Sequence, residues 1–169
     1  MKSVIRSFAT LALVLGGLAP LAANALELRG FRGIAWGDSA DALGPAAVEH
    51  LSGDVNCYVR ERENMLFGDN PLTQVRYCFH RDHLFMVTLD SAAAMNSLLA
   101  EFQRTYGIPK VRSAVKATWG SDSSGARAEL VAVAANGARS RLTIYSNKFD
   151  PALATRGADE VPRRVAAAR

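Results

Sequence analysis

The chain has 169 residues, 20 basic against 16 acidic, and a net charge of +4. So small an excess, with no dense basic stripe, argues against a nucleic-acid-binding protein. The length fits one domain, able to bury about two thirds of its unfolded surface.

The first 25 residues, MKSVIRSFATLALVLGGLAPLAANA, read as a secretory signal. Lys2 and Arg6 precede an apolar run over residues 8–18, and Ala23-Asn24-Ala25 is the small-residue pattern that signal peptidase cleaves. The run is too short to span a bilayer, and Gly16, Gly17 and Pro20 interrupt it. Cleavage after Ala25 is therefore expected, with residues 26–147 as a single domain and 148–169 as a flexible C-terminal tail. No cysteine stands directly after the cut, so no lipid anchor is expected, and no later stretch is apolar enough for a stable membrane span. The localisation implied is periplasmic or secreted.

After the cut, Phe31, Ile34 and Trp36 suggest a short entering strand. Gly37 then permits a turn, and Asp38 or Ser39 can cap a helix. Gly44-Pro45 interrupts that helix, and PAAVEHL is expected to resume it, with Pro45 in the first turn.

Both cysteines of the chain bracket one stretch, Cys57 and Cys78. The sequences NCYVRERE and LTQVRYCFH have strand composition, and FGDNP between them is turn chemistry. With the turn centred between Phe67 and Gly68, Cys57 faces Cys78 and Tyr58 faces Tyr77, close enough for a disulfide. Such a bridge persists in an oxidising compartment. The spacing is far from Cys-x-x-Cys, so the expected role is structural. Glu61 and Glu63 alternate with Arg60 and Arg62, the pattern of a solvated strand face.

Arg81-Asp82 forms a second tight turn leading into HLFMVTLD, apolar on both faces and so central in a sheet. Ser91 is a candidate cap for the next helix. Met95, Leu98, Leu99, Phe102 and Tyr106 then form one helical stripe, stopped by Gly107 and Pro109. KVRSAVKATWG reads as an irregular strand and SDSSG as a loop. The flanks of Asn136-Gly137 form a hairpin, in a register that sets Val131 opposite Leu142 and Val133 opposite Ser140. In that register Glu129 meets Ile144, a poor match that suggests a bulge. The fold class expected is α+β, an antiparallel sheet with helices on one face, in the order α-β-β-β-α-β-β-β.

FRGIAWGDS, VRYCFHRDHLFMVTL, the helix ending YGIP, ATWG and LTIYS resemble a loose group of small exported bacterial proteins. That group opens on a Phe-x-Gly-x-x-Trp-Gly pattern, and the resemblance covers residues 31–146. The element order is similar to the β-lactamase-inhibitor-like and outer-membrane-assembly lipoprotein folds. The resemblance implies a binding module, although fold alone does not fix function.

Candidate chemistry is sparse. His80 and His83 flank the Arg81-Asp82 turn, and paired imidazoles can contribute to a metal site. A site usually needs a third or fourth ligand as well. No nucleophile elbow or phosphate-cradling glycine loop is present, and no cofactor is implied. Met65, Leu66 and Phe67 are three consecutive apolar residues beside a turn, a candidate partner-binding tip. The expected function is a non-enzymatic exported binding module, its partner another envelope protein or a small ligand. The alternatives are a small metal-dependent hydrolase using His80, His83 and Asp82, or an accessory factor of envelope assembly.

Overall fold

The computed structural model describes residues 28–135 and 138–153. The expected leader and its cleavage point lie outside the described residues, as do the Asn136-Gly137 turn and the chain beyond Leu153. The chain opens with a small hairpin, β1 (Gly30–Phe31) and β2 (Ile34–Ala35), and a 3₁₀ turn at Ala40–Leu43. Five strands follow: β3 (Ala46–Ser52), β4 (Val55–Arg60), β5 (Leu66–Phe67), β6 (Asn70–His80) and β7 (His83–Ser91). Then come α1 (Met95–Tyr106), β8 (Val111–Arg112), β9 (Lys116–Gly120), β10 (Ala126–Ala135) and β11 (Ala138–Ser146). Nine strands form one antiparallel sheet in the order β3-β4-β6-β7-β11-β10-β9-β8, with β5 paired onto β6. The described chain is thus mainly antiparallel sheet, with α1 packed against it.

The first helix of the expected order is corrected. Only the short 3₁₀ turn forms after Ser39, and Ser39 makes no capping side-chain bond. PAAVEHL instead enters β3, paired along β4. Alanine, glutamate and leucine favour helix locally, but that preference is worth only tenths of a kcal/mol per residue. The open edge of β4 offers a ladder of backbone hydrogen bonds that outweighs it. Ser91 also differs from expectation. It closes β7, its hydroxyl donates to the Pro71 carbonyl (2.6 Å) and accepts from the Ala93 N–H (3.0 Å), and the residue preceding α1 is Ala94.

The cysteine-bracketed hairpin pairs as expected. Cys57 is opposite Cys78, Tyr58 is opposite Tyr77, and the disulfide is formed with Cα atoms 4.0 Å apart. The connection differs in detail: β4 ends at Arg60, and the tight turn is Gly68-Asp69, between Phe67 and Asn70. Arg81 and Asp82, at φ 48° and 63°, form the left-handed two-residue turn that joins β6 to β7. β7 is central and almost wholly buried, between β6 and β11.

The β10–β11 register is one residue from the expected one. Leu130 faces Leu142, Val131 faces Arg141, Ala132 faces Ser140, and a bulge lies between Ala132 and Ala135. One extra residue near the turn exchanges the two faces of β10. Ala126, Ala128 and Leu130 therefore enter the core, while Val131 and Val133 lie half-exposed.

The core sits between α1 and one face of the sheet. Leu98, Leu99 and Phe102 of α1 are buried with Tyr77, Val87 and Ile144 among the sheet residues. A smaller cluster on the reverse face holds the disulfide with Phe85, packed by Val55, Met86 and Phe149. Phe149 and Asp150, assigned to the tail from sequence, are built into the domain. Phe149 stacks on His83 at 5.5 Å, and Asp150 is buried in an ion pair with Arg127.

Candidate functional site

The helix stripe ends in a dense aromatic cluster. Phe102 lies 4.5 Å from Tyr106, 4.5 Å from Trp119 and 6.2 Å from Phe67, measured between ring centroids. Trp119 also donates its indole N–H to the Gly107 carbonyl (2.8 Å), satisfying a carbonyl just past the helix end. Two segments are held to this cluster: the chain before Phe67, and the chain between Gly107 and Trp119.

The first segment is fixed from beneath. Glu63, nearly buried, accepts hydrogen bonds from the Tyr77 hydroxyl (2.8 Å), the Arg32 guanidinium (2.5 Å) and the Asn64 N–H (3.0 Å). Arg32, at the β1–β2 turn with φ 49°, also donates to the carbonyls of Asn64 and Leu66. Burial, reinforced by the bond to Glu63, raises the Tyr77 hydroxyl far above the usual phenol range. Burial also raises Tyr106, with the Arg32 charge opposing it. Sequence reasoning put Glu63 on a solvated face. The charge alternation holds only within a strand, and the strand stops at Arg60.

On this base Met65 and Leu66 are 38% and 49% exposed, while Phe67 is buried against Phe102. The predicted tip is therefore divided. Phe67 is a core anchor, corrected from a surface role, and Met65 and Leu66 are the two side chains it leaves in solvent. The second segment was read from sequence only as an irregular strand. It exposes Ile108 (84%), Val111 (60%) and Val115 (62%) along the sheet edge at β8. The signal was present in IPKVRSAVK, where aliphatic and basic residues are interspersed with no acid.

The histidine turn is placed as expected, His80 opposite His83. The side chains there meet protein groups. His83 Nδ1 lies 2.9 Å from the Gly37 carbonyl, and Asp82 accepts from the Ala40 N–H (2.9 Å) at the start of the 3₁₀ turn. The His80 ring meets Phe85 edge-on at 6.4 Å. Among the described residues no group of three or more His, Cys, Asp or Glu is placed to hold a metal ion.

Beyond the disulfide cluster, the sheet face away from α1 carries charges paired across strands. Arg141 grips Asp90 with two bonds (2.6 and 2.9 Å), Arg76 pairs with Glu49, and Lys116 pairs with Glu129. Arg127 lies over the Tyr145 ring at 4.5 Å while bonded to Asn147 and Asp150. A depression of about 340 Å³ opens there, lined by Thr118, Gly120, Arg127, Glu129 and Tyr145 among others. Its arginine is already committed to an aspartate.

No family model, curated protein or solved structure matches the chain.

Proposed function

We propose that the protein is an exported, non-enzymatic interaction module that engages another envelope component through exposed apolar side chains. One observation carries this reading. Met65 and Leu66 stand exposed on a segment whose neighbour Phe67 is locked into the Phe102 aromatic cluster and whose backbone is clamped by Arg32. Apolar side chains on a pre-ordered base lose little entropy when a partner covers them. The leader-like start of the sequence and the Cys57–Cys78 bridge support export.

The test is a photo-cross-linking residue at Leu66, with the same residue at exposed Ser123 as control, in intact cells that make the protein. A discrete partner species is expected at Leu66, lost when Met65→Asp is added. Equal labelling at both positions would overturn the reading.

A further inference from the structure

The reading of the protein as a binding module leaves its second exposed segment without an occupant. Deepening that reading, we propose that residues 108–116 form a docking edge for an anionic lipid surface.

The backbone of this segment is fixed. The Lys110 N–H donates to the Thr118 carbonyl (2.8 Å), and the Ser113 N–H donates to the Lys116 carbonyl (2.7 Å). The Ser113 hydroxyl accepts from the Lys116 N–H (3.1 Å), and the Val115 carbonyl accepts from Ala132 (2.9 Å). Its side chains stand out from this frame. Ile108, Val111 and Val115 are the most exposed large aliphatic residues described. Three aliphatic side chains on a short, ordered edge would be a solubility cost unless something covers them.

Charge identifies the occupant. Lys110, Arg112 and Lys116 alternate with the aliphatics, and residues 107–121 contain no acid. Glu129 pairs with Lys116, which leaves Lys110 and Arg112, both exposed, as cations within the segment. Aliphatic side chains flanked by lysine and arginine match the boundary between acyl chains and anionic headgroups. Successive strand residues point to opposite sides, so Val111 and Arg112 splay and the hairpin would meet the surface edge-on. A protein strand added to this edge would find only the two residues of β8 to pair with, too short a template for strand addition. No described helix is long and apolar enough to cross a membrane, so the contact proposed is peripheral.

The experiment is flotation of the protein beginning at Leu26, which contains every described residue, with vesicles of phosphatidylcholine alone or mixed with phosphatidylglycerol. Binding is expected only to the anionic vesicles, falling with salt. Neutralising Lys110→Gln and Arg112→Gln should weaken it by about five-fold per charge. Ile108→Ser with Val115→Ser should weaken it as well, and Met65→Asp should leave it unchanged. Circular dichroism checks that each variant is folded. The proposal is overturned by equal flotation on both vesicles, by none on either, or by unchanged binding of the double-glutamine variant. A photo-cross-linking residue placed at Val111 in the same cells should label lipid, and a protein captured there in its place also overturns the proposal. If flotation fails while the Leu66 cross-link persists, only the lipid inference falls; if both fail, the binding reading falls with it.

Discussion

Glu63 and Tyr77 show how one buried carboxylate can order a segment that has no secondary structure of its own. Both Glu63 oxygens are occupied, by Tyr77 on one side and by Arg32 and Asn64 on the other. Tyr77→Phe removes one bond to a charged acceptor and leaves the other two. It should cost about 1.5 kcal/mol in chemical denaturation. The same phenol makes stability depend on alkaline pH. In the unfolded chain it titrates at about 10, whereas burial raises it in the folded state. Below pH 10 both states hold the proton, and stability does not depend on this group. Above it the unfolded state alone releases the proton, so stability is lost as pH rises toward the folded value, by about 1.4 kcal/mol per pH unit. Tyr106 and Tyr145, also raised by burial, act in the same direction. Unfolding free energy, plotted against pH above about 10, should fall more steeply in the wild type than in Tyr77→Phe. An equal fall in both would mean the phenol is not held neutral. The disulfide is the second determinant at this scale. With 21 residues of separation it should contribute about 3 kcal/mol by restricting the unfolded chain. Cys57→Ala with Cys78→Ala should lower the denaturation midpoint accordingly.

At the scale of elements, the division of the 65–67 segment makes two neighbouring substitutions diverge. Phe67→Ala empties a site against Phe102 and should cost about 3–4 kcal/mol. Leu66→Asp, half-exposed, should stay within about 0.5 kcal/mol of wild type. Thermal melts of the two variants measure the contrast, and similar losses would place Leu66 in the core. Sequence distinguished such pairs only where periodicity was long. The α1 stripe, the β6–β7 turn and the Cys57–Cys78 register were legible because each rests on local spacing or turn chemistry. β3 was not, since its composition favours helix and only the unfilled edge of β4 makes it a strand. The β10–β11 register was missed because a single bulge exchanges faces, although the poor match at Glu129 had marked the conflict. Of the candidate site, the apolar tip was visible as a run of three residues. Its burial at Phe67, and the exposure of Ile108, Val111 and Val115, depend on which neighbours the sheet order supplies.

At the scale of the molecule, the two described ends of the chain meet at Gly37. Its N–H donates to the Leu84 carbonyl (2.9 Å), its carbonyl faces His83, and the His83 ring stacks on Phe149. No sequence signal announced this closure, because a glycine near one end and a phenylalanine in an apparent tail share no local pattern. Gly37 has φ 89°, where a side chain is strained, and an added Cβ would overlap the Phe149 ring, 2.6 Å from Cε2. Gly37→Ala therefore carries two costs: about 1–2 kcal/mol of backbone strain that no neighbour can relieve, and a steric cost that depends on Phe149. Phe149→Ala alone loses the stack on His83 and the cover over the disulfide cluster. In the double variant the overlap is absent, so the losses should be less than additive, by about 1 kcal/mol or more. A double-mutant cycle by urea denaturation measures that coupling. Strict additivity would show that Phe149 does not close over Gly37 in solution, and residues 148–150 would return to the tail to which their composition first assigned them.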